Sequence, residues 1–208
     1  MPEIKGVIFD CDGVMFESRR ANLAYYNDIL AFFGEEPVSE DDRDRATLCH
    51  SAASPEVLAT LLGSERLDQA LAIATSIDYR KFIPYMTPEP GLFEVLEQLS
   101  ARVPLAVATN RGYSMPEILE HFSLAQYFTA VVTSRDVERP KPHPDMLFLA
   151  QQKLGIAAGE LLFVGDSVYD RAAAESAGIP FAAYKPSFKT ASPVESHHHL
   201  LDFVLNGR

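Results

Sequence analysis

The chemistry of this chain is most legible in VIFDCDGV, residues 7–14, where an apolar run ends in Asp10 and Asp12 with a glycine directly after. Two carboxylates two residues apart repel each other. A divalent cation, a shared proton or solvent exposure can each offset that repulsion. Three further polar clusters follow apolar runs or sit between them: Thr109–Asn110–Arg111–Gly112, then RPKPHP with Lys141 between prolines, then Gly165–Asp166–Ser167 with Asp170 four residues past Asp166. Asp10, Asp12 and Asp166 offer hard oxygen ligands of the kind Mg²⁺ takes together with water and substrate phosphate. The Thr109 hydroxyl, the Asn110 amide and the Lys141 ammonium are donors and a cation suited to phosphoryl oxygens. One aspartate could then attack phosphorus, and the other could protonate the leaving oxygen and activate water.

Something must bring these clusters together. Five short apolar runs, at 4–10, 103–110, 129–134, 161–166 and 179–184, lack clear polar alternation and read as strands buried on both faces of a parallel sheet. Helix-like stretches separate the later runs, including PGLFEVLEQLSA, SMPEILEHFSL, PDMLFLAQQKLG and YDRAAAESAG, with Gly155 and Gly178 as stop signals. The alternation implies an α/β fold, a three-layer Rossmann-like core whose polar clusters lie at the carboxyl ends of its strands, where such sheets bind ligands. The interval 17–85 carries helical patterns only (RRANLAYYNDILAFFG, SPEVLATLLG and SERLDQALAIATSIDYRKF). It is expected to be a helical cap inserted into a core made of 1–16 and 86–208, with TPEPG at 87–91 as the return hinge.

The set DCDGV, TN, PKP and GDSVYD, in this order, resembles the four motifs of the haloacid dehalogenase superfamily, and the insert resembles its small helical cap subgroup, which includes phosphoglycolate phosphatase-like and β-phosphoglucomutase-like enzymes. The resemblance covers nearly the whole chain. It implies Asp10 as nucleophile, Asp12 as general acid/base and Lys141 as the cation that neutralises nucleophile and phosphate. Thr109, Asn110 and the adjoining Arg111 become substrate-binding candidates. The implied Mg²⁺ set is Asp10, Asp12 through its backbone carbonyl, Asp166, and Asp170, the last in the outer shell or orienting Lys141. On this reading Asp10 stays ionised on the metal while Asp12 holds a proton to donate. The expected activity is a Mg²⁺-dependent phosphatase acting on a small phosphorylated metabolite, with a phosphomutase or a non-catalytic binding protein as alternatives. Dehalogenation has no use for Asp12 as an acid, and a Schiff-base mechanism would have only Lys81 in the insert to work with.

Other residues receive plainer readings. Cys11 alternates away from the aspartates and belongs in the core. Ser167 caps a helix. Glu17 and His143 carry no catalytic assignment. His50, Cys49 and the arginines Arg19, Arg20, Arg43 and Arg45 are positioned in sequence to contact substrate, yet helix arginines are mostly solvated. The histidines of SHHHLLDFVLNGR read as a solvated helix start, because consecutive helical residues cannot all face one ion. Across 208 residues the net charge is −11, which argues against nucleic acid or an anionic membrane as partner. The opening MPEIKGVIFD lacks a charged region followed by an apolar stretch, and Cys11 and Cys49 are the only cysteines. The expectation is a reduced, cytoplasmic protein.

Overall fold

A computed structural model of the chain describes residues 3–186, 188–190 and 193–206. The elements run β1 (Gly6–Phe9), β2 (Phe16–Glu17), α1 (Arg19–Phe32), α2 (Arg43–Ser51), α3 (Ser54–Leu62), α4 (Leu67–Ser76), β3 (Thr87–Pro88), α5 (Leu92–Ser100), β4 (Leu105–Thr109), α6 (Ser114–His121), β5 (Ala130–Thr133), α7 (Asp145–Leu154), β6 (Leu161–Gly165), α8 (Val168–Ala177), β7 (Phe181–Ala183) and α9 (His197–Asn206). Each of the five apolar runs contains one strand of a parallel sheet ordered β5-β4-β1-β6-β7.

Strand alternation divides the core in two. Val7, Phe9, Leu105, Val107, Leu162 and Val164 face one side, where α5, α6 and α9 supply Leu96, Ile118 and Leu200. Ile8, Ala106, Ala108, Val132 and Phe163 face the other, against Met146 and Leu147 of α7 and Ala173 and Ala174 of α8. Both faces are dry, which is why these strands read as unbroken apolar runs and not as alternating ones. The result is a three-layer α/β sandwich. β1 lies at its centre, with β4 on one side and β6 on the other, so the order of strands reverses there and leaves a crevice beyond its carboxyl end.

The insert leaves and rejoins the core through the antiparallel ribbon β2–β3, in which Phe16 pairs with Pro88. Four helices lie between those strands. The sequence pattern brings out α1, α3 and α4 but not α2, whose RDRATLCHS offers no apolar stripe; its start is fixed by Asp42, whose side chain accepts from the Arg45 amide. The insert has its own core of Ile29, Leu30, Val57, Leu58 and Ala70. Its last segment, with Tyr79, Phe82 and Ile83, packs into the sheet-side cluster instead. No helix among the described residues is long and apolar enough to cross a membrane.

The histidine run differs from its sequence reading. His197 opens α9 but is fully buried. It lies 4.9 Å from the Tyr184 ring and stacks at 6.5 Å on Phe9, and its Nε2 is 2.9 Å from the Val14 carbonyl. Only His198 and His199 are solvated. Helical geometry explains the split, since adjacent residues point about 100° apart and one of three must turn toward the sheet.

Candidate active site

The crevice at the end of β1 collects every polar cluster singled out in the sequence. Asp10 follows β1, Thr109 ends β4, and Asp166 follows β6. Asp10, Asp12, Thr109, Asn110, Arg111, Lys141, Asp166 and Asp170 are all buried. Lys141 Nζ lies 2.9 Å from Asp10 Oδ1 and 2.7 Å from Asp170 Oδ1, and donates to the Ala108 carbonyl at 3.0 Å. Carboxylate oxygens of Asp10, Asp166 and Asp170 fall within 4.8 Å of one another. Close approach is possible because Gly13, at φ +73°, presents only hydrogen to Asp166; a Cβ there would overlap its carboxylate.

Charge explains what this cluster is built to hold. Four buried carboxylates (Asp10, Asp12, Asp166 and Asp170) face two buried cations, Lys141 and Arg111. That leaves about two negative charges, the charge of one divalent cation. Burial, together with the neighbouring Asp170 and Asp12, pushes Asp10 up to about 7 against the pull of Lys141. Burial, Asp170 and Asp10 likewise raise Asp166 well above the ordinary carboxylate range. Lys141 moves up despite its burial, because Asp10 and Asp170 flank it. Asp10 and Asp166 are hard-oxygen donors whose ionised forms a divalent cation would favour, which fits Mg²⁺.

Asp170 has both carboxylate oxygens in use. Oδ1 holds Lys141, while Oδ2 accepts from the Ser167 amide at 3.0 Å and the Ser167 hydroxyl at 2.6 Å. With Ser167 Oγ accepting from the Asp170 amide, this is a capping box at the start of α8. Ser167 thus caps its helix, and Asp170 orients Lys141.

Asp12 departs from the expectation that it holds a proton. Its Oδ1 accepts from Arg111 Nη2 at 2.6 Å, Asn22 Nδ2 at 3.1 Å and the Ser18 hydroxyl. Burial works against ionisation, but Arg111 outweighs it and holds Asp12 below the ordinary carboxylate value. Among the described residues, all three of these bonds end on Oδ1, so Oδ2 is the oxygen left for chemistry. Arg111 itself is consumed structurally. Nη2 also donates to Asn22 Oδ1 at 2.8 Å, and Nη1 donates to the Tyr79 hydroxyl at 2.6 Å and Ser114 Oγ at 3.3 Å. Asn110 braces the loop of Lys141, accepting from its amide and donating to its carbonyl, both at 3.0 Å. It also donates to the Ser51 carbonyl of the insert. The Thr109 hydroxyl accepts from the Arg111 amide at 3.2 Å.

The insert contributes four polar residues to the site: Ser18, Asn22, His50 and Tyr79. Of these only His50 stands out in the sequence. Asn22 offered one faint signal, a polar residue within the apolar face of α1 one turn after Ser18. Tyr79, from an irregular turn, offered none. The Asn22 oxygen is fixed by Arg111 and Tyr79, so its amide nitrogen faces His50 Nδ1 at 3.3 Å. His50 Nδ1 is therefore the acceptor and Nε2 carries the hydrogen, 4.0 Å from Asp166 Oδ2. Other candidates lie outside. Arg19, Arg20, Arg43, Glu17, Lys81 and His143 are exposed, Lys81 pairing with Asp28 and Glu17 with Arg19. Cys11 is buried in the sheet-side core, as its alternation implied.

Comparison with known proteins identifies the family. The profile of the haloacid dehalogenase-like hydrolases matches residues 7–184. The chain belongs to that family. Phosphoglycolate phosphatase of Yersinia pseudotuberculosis is 31% identical over 208 residues, covering 94% of this chain and 87% of its own. Phosphoglycolate phosphatase of Shigella boydii is 30% identical, covering 86% and 80%. The crystal structure of a haloacid dehalogenase-superfamily hydrolase of subfamily IA, variant 1, from Geobacter sulfurreducens is 42% identical, with a TM-score of 0.83 over 96% of this chain and 99% of that one. This member of the family is therefore an enzyme of the hydrolase class, with phosphatases among its relatives.

Proposed function

We propose that this haloacid dehalogenase-like hydrolase is a Mg²⁺-dependent phosphatase that releases phosphate from a small phosphorylated metabolite through an aspartyl-phosphate on Asp10. The observation that carries the reading is the placement of Asp10: it directly follows the central strand, 2.9 Å from Lys141 Nζ and within the acidic cluster of Asp166 and Asp170. Bound Mg²⁺ would be held by Asp10 and Asp166 and would supply positive charge to the phosphoryl oxygens.

The side chains do the rest. In the first half, a carboxylate oxygen of Asp10 forms a bond to phosphorus as the ester P–O bond breaks, and Asp12, which first takes up a proton from solvent on its open oxygen Oδ2, passes it to the departing alcohol oxygen. In the second half, Asp12, now ionised, takes a proton from water as the water oxygen attacks phosphorus. The bond from Asp10 to phosphorus breaks and Asp10 returns as a carboxylate. Arg111 favours the ionised form of Asp12, which is the form the second half requires. Thr109 supplies a hydroxyl at the phosphoryl site, and Asn110 keeps Lys141 in place from the opposite side. Residues 17–85 act as a cap over a core of 1–16 and 86–208, excluding water once substrate has entered.

The test is phosphate release from a panel of phosphate monoesters with Mg²⁺ and with EDTA, for the parent protein and Asp10→Asn. Release by the parent only, lost in EDTA, is expected. Equal release by Asp10→Asn would remove the nucleophile assignment.

A further inference from the structure

Beyond Asp12, Asn110 and Arg111 the crevice widens into a cavity of about 400 Å³ between the insert and the core, within the roughly 300–1,000 Å³ span of pockets that enclose drug-sized ligands. We propose that the leaving group it receives is an uncharged, partly apolar or aromatic alcohol, larger than a two-carbon acid. This inference rests on the phosphatase reading and names its substrate class.

The walls carry the argument. The insert contributes aromatic and aliphatic surface, including Tyr25, Tyr26, Leu71, Ala74 and Ile77, and none of its lining residues is a lysine or arginine. His50 turns its Nδ1 to the Asn22 amide, 3.3 Å away. On the core side, the four terminal N–H groups of Arg111 are taken by Asp12, Asn22, Tyr79 and Ser114, and only its buried Nε–H is left without a partner among the described residues. The second lining arginine, Arg135, is exposed at the rim. Its guanidinium lies 3.6 Å from the centre of the Tyr113 ring, and Glu117 and Glu138 line the same stretch. A carboxylate on the leaving group would lose water and find Arg111 already paired with Asp12 and, apart from it, only the solvated Arg135 at the rim, an expensive transfer. An apolar body gains about fourfold in affinity for each CH₂ it buries. The chemistry of this wall thus differs from what glycolate, the leaving group of phosphoglycolate, requires.

Three esters of matched phosphoryl chemistry separate the possibilities: 2-phenylethyl phosphate, ethyl phosphate and phosphoglycolate, each assayed for phosphate release with Mg²⁺ against Asp10→Asn. The expected result is a kcat/KM for 2-phenylethyl phosphate at least tenfold above both others. Thr75→Trp, which narrows the cavity from the insert side, should lower the phenylethyl-to-ethyl ratio at least tenfold, a ratio insensitive to how much enzyme is folded. Leu71→Arg, which adds a cation to the wall, should shift the ratio toward phosphoglycolate. Phosphoglycolate as the fastest ester, or equal rates for the phenylethyl and ethyl esters, would overturn the inference and leave the phosphatase standing. No release above Asp10→Asn from any ester would overturn both.

Discussion

His197 makes stability depend on pH in a way that can be calculated. Its ring lies between Phe9 and Tyr184 beneath the loop that carries Asp12, and burial pushes its pKa from 6.5 to about 4. The native ring is therefore neutral across a range where the unfolded chain already binds a proton. Between pH 6.5 and 4 the unfolded state holds more protons, so stability falls as pH falls through that window. The full shift corresponds to about 3 kcal/mol, of which about 2 kcal/mol is lost between pH 7 and pH 5. His197→Gln removes the titration and keeps an N–H that can reach the Val14 carbonyl. Urea unfolding of both proteins at the two pH values isolates the effect, because groups common to both cancel. Asp10 is one of these: raised to about 7, it favours the folded state as pH falls, the opposite sign. With a slope of about 2 kcal/mol per molar urea, the parent midpoint should drop about 1 M further than that of the variant. Identical pH dependence in the two proteins would refute the idea that His197 is buried as a neutral ring.

Two other outcomes follow from the site. Gly13→Ala forces a Cβ at φ +73° into the Asp166 carboxylate, so phosphate release should fall at least tenfold, with a stability loss of about 1 kcal/mol or more; unchanged kinetics would mean the loop relaxes freely. Mg²⁺ at a hundredfold its Kd should stabilise the protein by about 2.7 kcal/mol, a rise of about 5–10 °C in melting temperature. Asp166→Asn should largely remove that rise, and a melting curve indifferent to Mg²⁺ would contradict the charge count.

The reading of Asp12 shows where sequence reasoning stops. Its place after β1 follows from local pattern, since a buried parallel strand is a short apolar run and its carboxyl end is where polar side chains emerge. The same logic brings Thr109, Asp166 and Lys141 to one edge, and it correctly sends Cys11 to the core. What Asp12 touches is another matter. Arg111 is 99 residues away, and Tyr79 of the insert holds Arg111 in turn from 32 residues away; partners at such separations leave no periodic trace. Hence the sequence suggests a protonated acid, and the folded protein holds an ion pair.

The histidine run and α2 teach the same lesson from the other side. A polar segment such as RDRATLCHS reads as loop because burial of one end by a neighbouring helix is not encoded in its own pattern, yet it delivers His50 to the site. His197 looks solvated beside two solvated histidines, but a sheet edge with room for one ring between Phe9 and Tyr184 decides otherwise. The amino-acid sequence by itself determined the α/β class, the strand ends and the set of acids, because each depends on residues close together in the chain. The tertiary structure alone decided the charge state of Asp12, the occupation of Arg111 and the uncharged character of the insert wall. Each of those depends on which distant groups burial leaves facing one another.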